Sequence, residues 1–295
     1  MGNDRNSVLL DDNTAKQVAS YSDTTPTPTQ PSSTSSYYLD AMGETEVNRL
    51  VKSSRPELIV LLGLNDFGKS TFAGSLYQLL RSRGRIGNYI FIDSETFIGW
   101  ERRVYLRRIE SEGSSTTKRT IRGENAFLHL KMQEVNTKEN FEVVISDSSG
   151  EVYRDYISNN ELIGRDKTIA QADKLLLFVD STKLYSRSYR SFADDYTSLM
   201  RRLKENSKLP SCAIVYLIFN KIDLKNEEDK SRTDHEEAIK EIVQDAFGGL
   251  EIIDEYLDSK SLDNNRNLED FLATVLTPGN NQQEDTIIDW VNNDI

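Results

Sequence analysis

The sequence predicts an α/β domain in which a mostly parallel sheet carries helices on both faces. From about residue 57, apolar segments of strand length alternate with segments of helical periodicity, which is typical of a parallel sheet with helical crossovers. Residues 58–62 form a continuous apolar run, as expected for a central strand that is buried on both faces. A phosphate-binding motif follows this run directly and strengthens the prediction.

The individual elements follow from their periodicity. Helical spacing predicts helices at residues 70–83, 96–110, 189–203 and 267–276. Apolar runs predict the other strands, at residues 89–93, 126–132, 141–146, 174–180, 213–220 and 251–257. The strands at 126–132 and 141–146 flank a polar turn and should form a hairpin, whereas 111–124 has no clear period and is predicted to be a loop. One face of the third helix is apolar and should pack in the core: Tyr189, Phe192, Tyr196, Leu199, Met200 and Leu203.

Composition suggests where this domain begins and ends. The predicted domain covers residues 57–277. Residues 1–40 include a stretch rich in Ser, Thr, Pro and Gln and are expected to form a disordered tail. Residues 41–56 are expected to be a linker or a short helix, and the acidic residues 278–295 a loosely attached tail.

Net charge and hydropathy argue against two classes of partner and indicate the expected location of the protein. The net charge of −12 argues against nucleic acid and anionic membranes, because like charges repel. No apolar stretch approaches the length of a membrane span, and the first residues lack the apolar core of a signal peptide, so a cytoplasmic location is expected. The single cysteine, Cys212, precedes an apolar run and is predicted to be a small buried side chain.

The strongest motif is the segment at residues 63–71, which matches G-x-x-x-x-G-K-[ST]. Gly63 and Gly68 allow a tight backbone path, so that N–H groups of the loop and of the following helix can point at phosphate oxygens. Lys69 can reach the β- and γ-phosphates, and the Ser70 hydroxyl is suited to Mg²⁺. The predicted nucleotide-binding residues of the loop are Gly63, Asn65, Asp66, Phe67, Gly68, Lys69, Ser70 and Thr71.

A second motif, D-x-x-G, follows the predicted strand at 141–146. Asp147 can hold Mg²⁺, either directly or through water, and the Gly150 N–H can contact a γ-phosphate. The motif alone is common, but its position after a phosphate loop and a hairpin makes it informative.

A third motif, N-K-x-D, ends the strand at 213–220 and comprises Asn220, Lys221 and Asp223. A carboxylate can accept hydrogen bonds from N1–H and from the 2-amino group of guanine, a pairing that adenine cannot supply. The stem of Lys221 can pack along the base. Ser259 and Lys260, after the last strand, could offer a backbone N–H to the guanine carbonyl; a plain loop is the alternative.

In this order, the three motifs and the segment with Ser259 and Lys260 resemble those of the TRAFAC class of P-loop GTPases, with a Ras-like domain over residues 57–277. The resemblance implies a six-stranded, mostly parallel sheet with one antiparallel edge strand contributed by the hairpin. It also implies binding of GTP and GDP, and hydrolysis of GTP to GDP and phosphate with Mg²⁺.

Two details of the sequence resemble particular groups within these GTPases. The loop is similar to the D-H-G-K-[ST] loop of translational GTPases, in which the Asp helps to hold a monovalent cation; K⁺ binding near Asp66 is therefore a hypothesis, and Phe67 stands where those proteins have His. The added strand and helix at 89–110 resemble bacterial double-GTPases, which are thought to act in conflict or defence systems beside a partner.

The residue after D-x-x-G departs from the common pattern, because Glu151 stands where related GTPases have Gln or His. Glu151 could orient the attacking water or act as a base, or it could repel the γ-phosphate. Slow intrinsic hydrolysis is therefore expected, and help from a partner is plausible. The switch threonine, which would meet Mg²⁺ and the γ-phosphate, is assigned first to Thr120, with Thr117 and Thr116 as alternatives.

A basic stretch interrupts the acidic sequence between residues 102 and 122. Arg119 or Arg122 could act in cis as an arginine finger on the charge of the transition state. The stretch could instead dock an acidic partner, or it could be a solvated helix and loop without a specific role.

These observations predict a nucleotide-dependent switch that acts on a protein effector or is helped by a GTPase-activating partner. Two alternatives stay open. A non-hydrolysing, GTP-gated scaffold would use the same binding motifs. An ATP-using P-loop enzyme would share the phosphate loop, but the N-K-x-D segment argues against it.

Overall fold

The computed structural model describes residues 40–53, 55–105, 126–207, 209–224, 231–260, 262 and 265–279. Its strands are β1 Glu57–Leu62, β2 Arg85–Ile86, β3 Tyr89–Asp93, β4 Phe127–Glu134, β5 Asn140–Ser146, β6 Lys174–Asp180, β7 Ile214–Asn220 and β8 Glu251–Leu257. Its helices are α1 Glu44–Ser53, α2 Lys69–Arg83, α3 Phe97–Val104, α4 Gly150–Ser158, α5 Asn160–Arg165, α6 Lys167–Ala170, α7 Ser181–Leu184, α8 Tyr189–Asn206, α9 Ser231–Phe247 and α10 Arg266–Leu276.

One sheet joins all of these strands in the order β2-β3-β4-β5-β1-β6-β7-β8. Strands β5, β1, β6, β7 and β8 are parallel to one another, whereas β4 is antiparallel to β5 and begins an antiparallel edge. The predicted fold class, an α/β domain with a mostly parallel sheet and an antiparallel edge, is therefore confirmed.

The sheet has eight strands, two more than the family resemblance implied, because the antiparallel edge continues beyond the hairpin. Strand β3 pairs with β4, and the short β2 pairs with β3. Apolar contacts hold this extension in place: the ring of Tyr89 meets Phe141 edge-on, and the ring of Phe91 meets Phe97 in the same way. The edge of the sheet is thus three strands wide.

The parallel strands form the core because their side chains are apolar on both faces. All seven residues of β6 are buried, and five of the six in β1. Helices α2 and α10 meet through Phe72 and Phe271, whose ring centroids lie 5.9 Å apart, and α2 also contacts α3. Helix α8 contacts both α4 and α9, and the three form a second group.

Element bounds agree closely with the periodicity, with a few differences. Strands β6 and β8 have the predicted bounds, and the predicted apolar face of α8 is buried except at Tyr189, which is half-buried. Helix α3 ends at Val104, and residues 106–125 lie outside the described residues together with the predicted loop. The prediction for Cys212 is wrong: its side chain is exposed, because it lies in the turn before β7 and the first buried residue is Ala213.

In the part of the chain that the structure describes, no helix is both long enough and apolar enough to cross a membrane.

A buried ion pair between β6 and β1 also holds the C-terminal end of α10 against the sheet. The ammonium group of Lys174, at the start of β6, lies 2.6 Å from Oε1 of Glu57 and donates hydrogen bonds to the carbonyl groups of Val275 and Thr277. Burial raises the pKa of Glu57, and the nearby Lys174 opposes this change. The carboxyl group of Glu57 therefore depends on Lys174 to remain charged in the interior.

We predict that Lys174→Met destabilises the protein by about 3 kcal/mol, because it leaves the buried Glu57 carboxyl without its cation and two carbonyl groups without their donor. The measurement is urea-induced unfolding of the purified chain. Lys204→Met is the matched control, because Lys204 forms an exposed ion pair with Asp245 and should change stability by less than about 1 kcal/mol. Equal effects of the two substitutions would contradict the prediction.

Candidate nucleotide-binding site

The phosphate loop connects β1 to α2, and its backbone requires glycine at a specific point. Gly68 has φ of 93°, in the left-handed region, and a Cβ atom there would lie only 2.1 Å from Nδ2 of Asn220. Asp66 also has a positive φ, of 65°. Gly68 directly precedes α2, and no described side chain caps that helix terminus. Its first N–H groups are therefore suited to receive an anion.

Lys69 lies at the centre of the loop. Its ammonium group donates to the carbonyl of Gly63 at 2.6 Å and to that of Leu64 at 3.1 Å, and it lies 5.6 Å from the ring centroid of Tyr153. Burial lowers the pKa of Lys69 to about 8, although the carboxylates of Asp147 and Asp66 act in the opposite direction. The side chain is thus a buried cation whose charge is retained at neutral pH but only by a narrow margin.

A hydroxyl group and a carboxylate meet beside this lysine. Ser70 Oγ, in the first turn of α2, donates to Oδ1 of Asp147 at 3.0 Å, and Asp147 directly follows β5. Asp147 is fully buried. The two residues are brought together because β1 and β5 are adjacent parallel strands that end at the same edge of the sheet.

The donor set of this pair fits Mg²⁺. Mg²⁺ prefers hard oxygen ligands and is commonly held by one or two protein groups together with phosphate oxygens and water. Ser70 and Asp147 supply one hydroxyl and one carboxylate oxygen, and no cluster of three or more His, Cys, Asp or Glu side chains suited to a metal occurs among the described residues. The third predicted ligand, Thr120, lies outside the described residues, as do Thr116, Thr117, Arg119 and Arg122.

Gly150 brings the start of α4 against the phosphate loop. A Cβ atom at Gly150 would lie 2.5 Å from both the backbone nitrogen and Oδ1 of Asn65, so any larger residue would collide with the loop. Tyr153 holds the helix there, because its hydroxyl donates to the carbonyl of Leu61 in β1 at 2.9 Å. Glu151 is half-buried in the first turn of α4.

The N-K-x-D segment joins the phosphate loop to the loop after β8. Asn220 Nδ2 donates to the Phe67 carbonyl at 2.9 Å, while its Oδ1 accepts from the backbone and the hydroxyl of Ser259. Ser75 in α2 donates to the carbonyl of Ser259, which ties this loop to the helix as well. The ring of Phe67 packs edge-on against Phe192 of α8.

Lys221 and Asp223 lie at the outer part of the same edge. Lys221 has φ of 63°, and its ammonium group donates to the Asp66 carbonyl and to Oδ2 of Asp180 at 2.7 Å. Asp223 is exposed; partial burial, followed by repulsion from Asp258, raises its pKa, whereas Lys260 acts in the opposite direction. Asp66 and Lys260 are exposed as well.

Two residues of this region were not predicted to belong to it. Asp180 ends β6 and is the register partner of Asn220, so an alignment of strand ends could have found it. Arg103, on α3, donates from Nε to Oδ2 of Asp147 at 2.7 Å. Arg103 belongs to the predicted basic stretch, but no signal in the sequence connects it with Asp147.

Phosphate loop, D-x-x-G and N-K-x-D thus lie at the ends of neighbouring parallel strands, an arrangement that defines a Ras-like P-loop GTPase. A sequence profile of the family described as Double-GTPase 2 matches residues 57–276. The chain belongs to the Double-GTPase 2 family, and the resemblance that the sequence suggested is confirmed. Membership in this family supports binding of GTP by this chain.

Three solved structures align with the chain at low identity. A mutation variant of SsGBP is 14% identical, with a TM-score of 0.39 over 81% of this chain and 66% of that chain. The small GTPase Arl6 from Trypanosoma brucei with the bound analogue GppNp is 11% identical, with a TM-score of 0.36 over 75% and 96%. Sup35 complexed with GDP is 14% identical, with a TM-score of 0.32 over 75% of this chain and 43% of that chain.

The chain spans slightly less than two thirds of the SsGBP variant and less than half of sup35. A search among curated proteins finds no match.

We predict that affinity for GDP falls as the pH rises through about 8, because bound phosphates favour the charged form of Lys69 and the free protein loses that charge near this pH. Affinity should be constant below about pH 7 and then fall by up to roughly tenfold per pH unit. The measurement is the Kd of a fluorescent GDP analogue across this range.

Lys69→Met is the control, because it lacks the titrating ammonium group, although it should bind more weakly. Its Kd keeps only the pH dependence that comes from titration of the base itself. The prediction would be contradicted by wild-type and Lys69→Met proteins whose Kd values change in parallel with pH.

Proposed function

We propose that the chain hydrolyses bound GTP slowly to GDP and phosphate, and that the change of nucleotide alters its affinity for a protein partner. GTP binding follows from the family; hydrolysis and switching are the proposal. The observation that supports it best is the meeting of Lys69, the Ser70–Asp147 pair and Gly150 at one strand edge, since these groups serve phosphoryl transfer in P-loop proteins.

Each residue has a proposed role. Gly63, Asn65, Asp66, Phe67 and Gly68 would bind phosphates through the loop backbone, together with the helix residues Lys69, Ser70 and Thr71. Mg²⁺, held by Ser70 and Asp147, would supply positive charge to the phosphate oxygens. Lys69 would stabilise the charge that spreads over the γ-phosphate oxygens, and Glu151 would orient the water that attacks the phosphorus.

Guanine recognition is assigned to the other end of the site. Asp223 would accept from N1–H and the 2-amino group of the base, and Lys221 would pack along it. Asn220 supports this assignment indirectly, because it holds the phosphate loop and Ser259 in a fixed relation. Ser259 and Lys260 would present a backbone N–H to the base carbonyl.

The proposed switch between the GTP and GDP states depends on the position of α4. Gly150 contacts the phosphate loop directly, so a γ-phosphate that occupies this region would have to move α4 or be enclosed by it. Loss of the γ-phosphate would then change the position of α4 and of the proposed switch threonine Thr120. The same proposal includes four further expectations from the sequence. These are Arg119 as an arginine finger, K⁺ near Asp66, placement in the TRAFAC class and a role in bacterial conflict.

The first experiment is competition of GTP, ATP and XTP against a fluorescent GDP analogue. We predict that GTP competes best with the wild-type chain and that Asp223→Asn shifts the preference towards XTP, because an amide matches the oxygen that xanthine carries in place of the 2-amino group. The loss of charge-assisted hydrogen bonds should weaken GTP binding by roughly a hundredfold.

Asp254→Asn is the matched control, because it removes the same charge from β8, where Asp254 pairs with Lys240. Equal competition by ATP and GTP would overturn the guanine assignment and favour an ATP-using enzyme.

Hydrolysis is tested by phosphate release. We predict that Glu151→Ala lowers the single-turnover rate by about a hundredfold, the magnitude typical of a lost acid–base or water-positioning group. Glu161→Ala, which removes an exposed carboxylate of α5, is the control. An unchanged rate in Glu151→Ala would remove Glu151 from the mechanism.

The same assay separates the remaining alternatives. Absence of phosphate release over multiple turnovers in the wild-type chain would favour the GTP-gated scaffold. Equal rates in K⁺ and Li⁺ would remove the proposed monovalent cation near Asp66.

A further inference from the structure

Arg103 connects α3 to the carboxylate that is proposed to hold Mg²⁺. Its Nε donates to Oδ2 of Asp147 at 2.7 Å, while the other oxygen of Asp147 accepts from Ser70. The guanidinium also donates to the Gly99 carbonyl at 2.9 Å. Arg103 is 9% exposed and Asp147 is fully buried, so the pair is formed away from bulk water.

Helix α3 is fastened firmly enough to hold this arginine in position. The ring of Trp100 stacks on Tyr77 of α2 with 5.4 Å between centroids, and Trp100 Nε1 donates to the His129 carbonyl in β4. Tyr77 also donates to Glu101. The guanidinium is therefore presented by a helix that contacts both the phosphate-loop helix and the sheet.

The charge of Arg103 opposes that of a bound metal ion. Both would interact with the carboxylate of Asp147, and a buried cation and Mg²⁺ repel each other because the interior screens charge poorly. The nearby ammonium of Lys69 adds to this repulsion, since it too interacts electrostatically with Asp147. A fully buried carboxylate without any of these cations would be unfavourable.

We propose that Arg103 is a positioning residue that competes with Mg²⁺ for Asp147, so that metal binding displaces its guanidinium and is linked to α3. This inference rests on the proposed function, because it assumes that Ser70 and Asp147 hold Mg²⁺ beside the nucleotide. Arg103 neutralises Asp147 when metal is absent and raises the concentration of Mg²⁺ that the site requires.

The linkage extends to the residues before α1. A Cβ atom at Gly99, whose carbonyl accepts from Arg103, would lie 2.6 Å from the backbone nitrogen of Ala41, and Arg102 forms an ion pair with Asp40. Release of Arg103 from Asp147 therefore removes one of the contacts that hold α3, the helix that also meets the segment at residues 40–41.

The test compares the full chain with Arg103→Met, which keeps the length of the stem and removes the charge. The measured quantity is the dissociation rate of a fluorescent GDP analogue as a function of free Mg²⁺. The melting temperature of the nucleotide-free protein is measured in parallel. Arg102→Met is the matched control, because it lies one residue earlier on the same helix and changes the net charge equally, but pairs with Asp40 instead of Asp147.

The expected result is that Arg103→Met reaches half of the Mg²⁺ effect at a free Mg²⁺ concentration at least about fivefold lower than wild type. Its nucleotide-free melting temperature should fall at the same time, since Asp147 loses its partner. A purely structural role would lower the melting temperature without reducing the Mg²⁺ requirement. Arg102→Met should keep the Mg²⁺ requirement of the wild-type chain.

An unchanged or increased Mg²⁺ requirement in Arg103→Met would overturn the inference while leaving the proposed function intact. If Arg103→Met does not fold, Arg103→Gln, which also removes the charge but keeps a hydrogen-bond donor for Asp147, decides in its place: a requirement below that of wild type supports the inference, and an equal or higher one overturns it. GDP release from the wild-type chain that does not respond to Mg²⁺ would overturn both the metal part of the proposed function and this inference.

Discussion

The side-chain amide of Asn220 is the contact on which the geometry of the site depends. Its nitrogen binds the phosphate loop at Phe67, and its oxygen binds the backbone and the hydroxyl of Ser259. One residue at a strand end thereby joins the phosphate loop to the loop that follows β8. The same amide explains Gly68, because a side chain there would occupy the space of Nδ2. Ser75 and Lys221 add further hydrogen bonds, to the carbonyl groups of Ser259 and Asp66, so the amide is the centre of a small set of contacts between distant parts of the sequence.

Much of this architecture could be predicted because it depends on local patterns. The phosphate loop needs a short segment with glycine at set positions, and buried strands need continuous apolar runs, so β1, the loop, β6 and β8 are all apparent in the sequence. Strand ends that carry Asp147 and Asn220 follow from the same runs. Their proximity in space follows from parallel pairing, which brings carboxyl ends of neighbouring strands to one edge.

Other features could not be predicted, because they depend on contacts between distant residues or on segments too short to show a period. Strand β2 has two residues, and its pairing with β3 is stabilised by the packing of the whole edge. The ion pair of Arg103 with Asp147 requires α3 to be docked on α2 through Trp100 and Tyr77. Exposure of Cys212 depends on where a turn ends, which hydrophobicity alone does not determine.

The two outer strands of the sheet differ in a way that affects how copies of the chain meet. In the described part of the chain, β2 ends the sheet on one side and offers only two residues of backbone. Strand β8 ends it on the other side and carries Glu251, Asp254 and Glu255. A short edge and an acidic edge are both poor templates for another strand, since one lacks length and the other brings like charges together. Strand-to-strand polymerisation is thereby disfavoured even in a crowded solution of this protein.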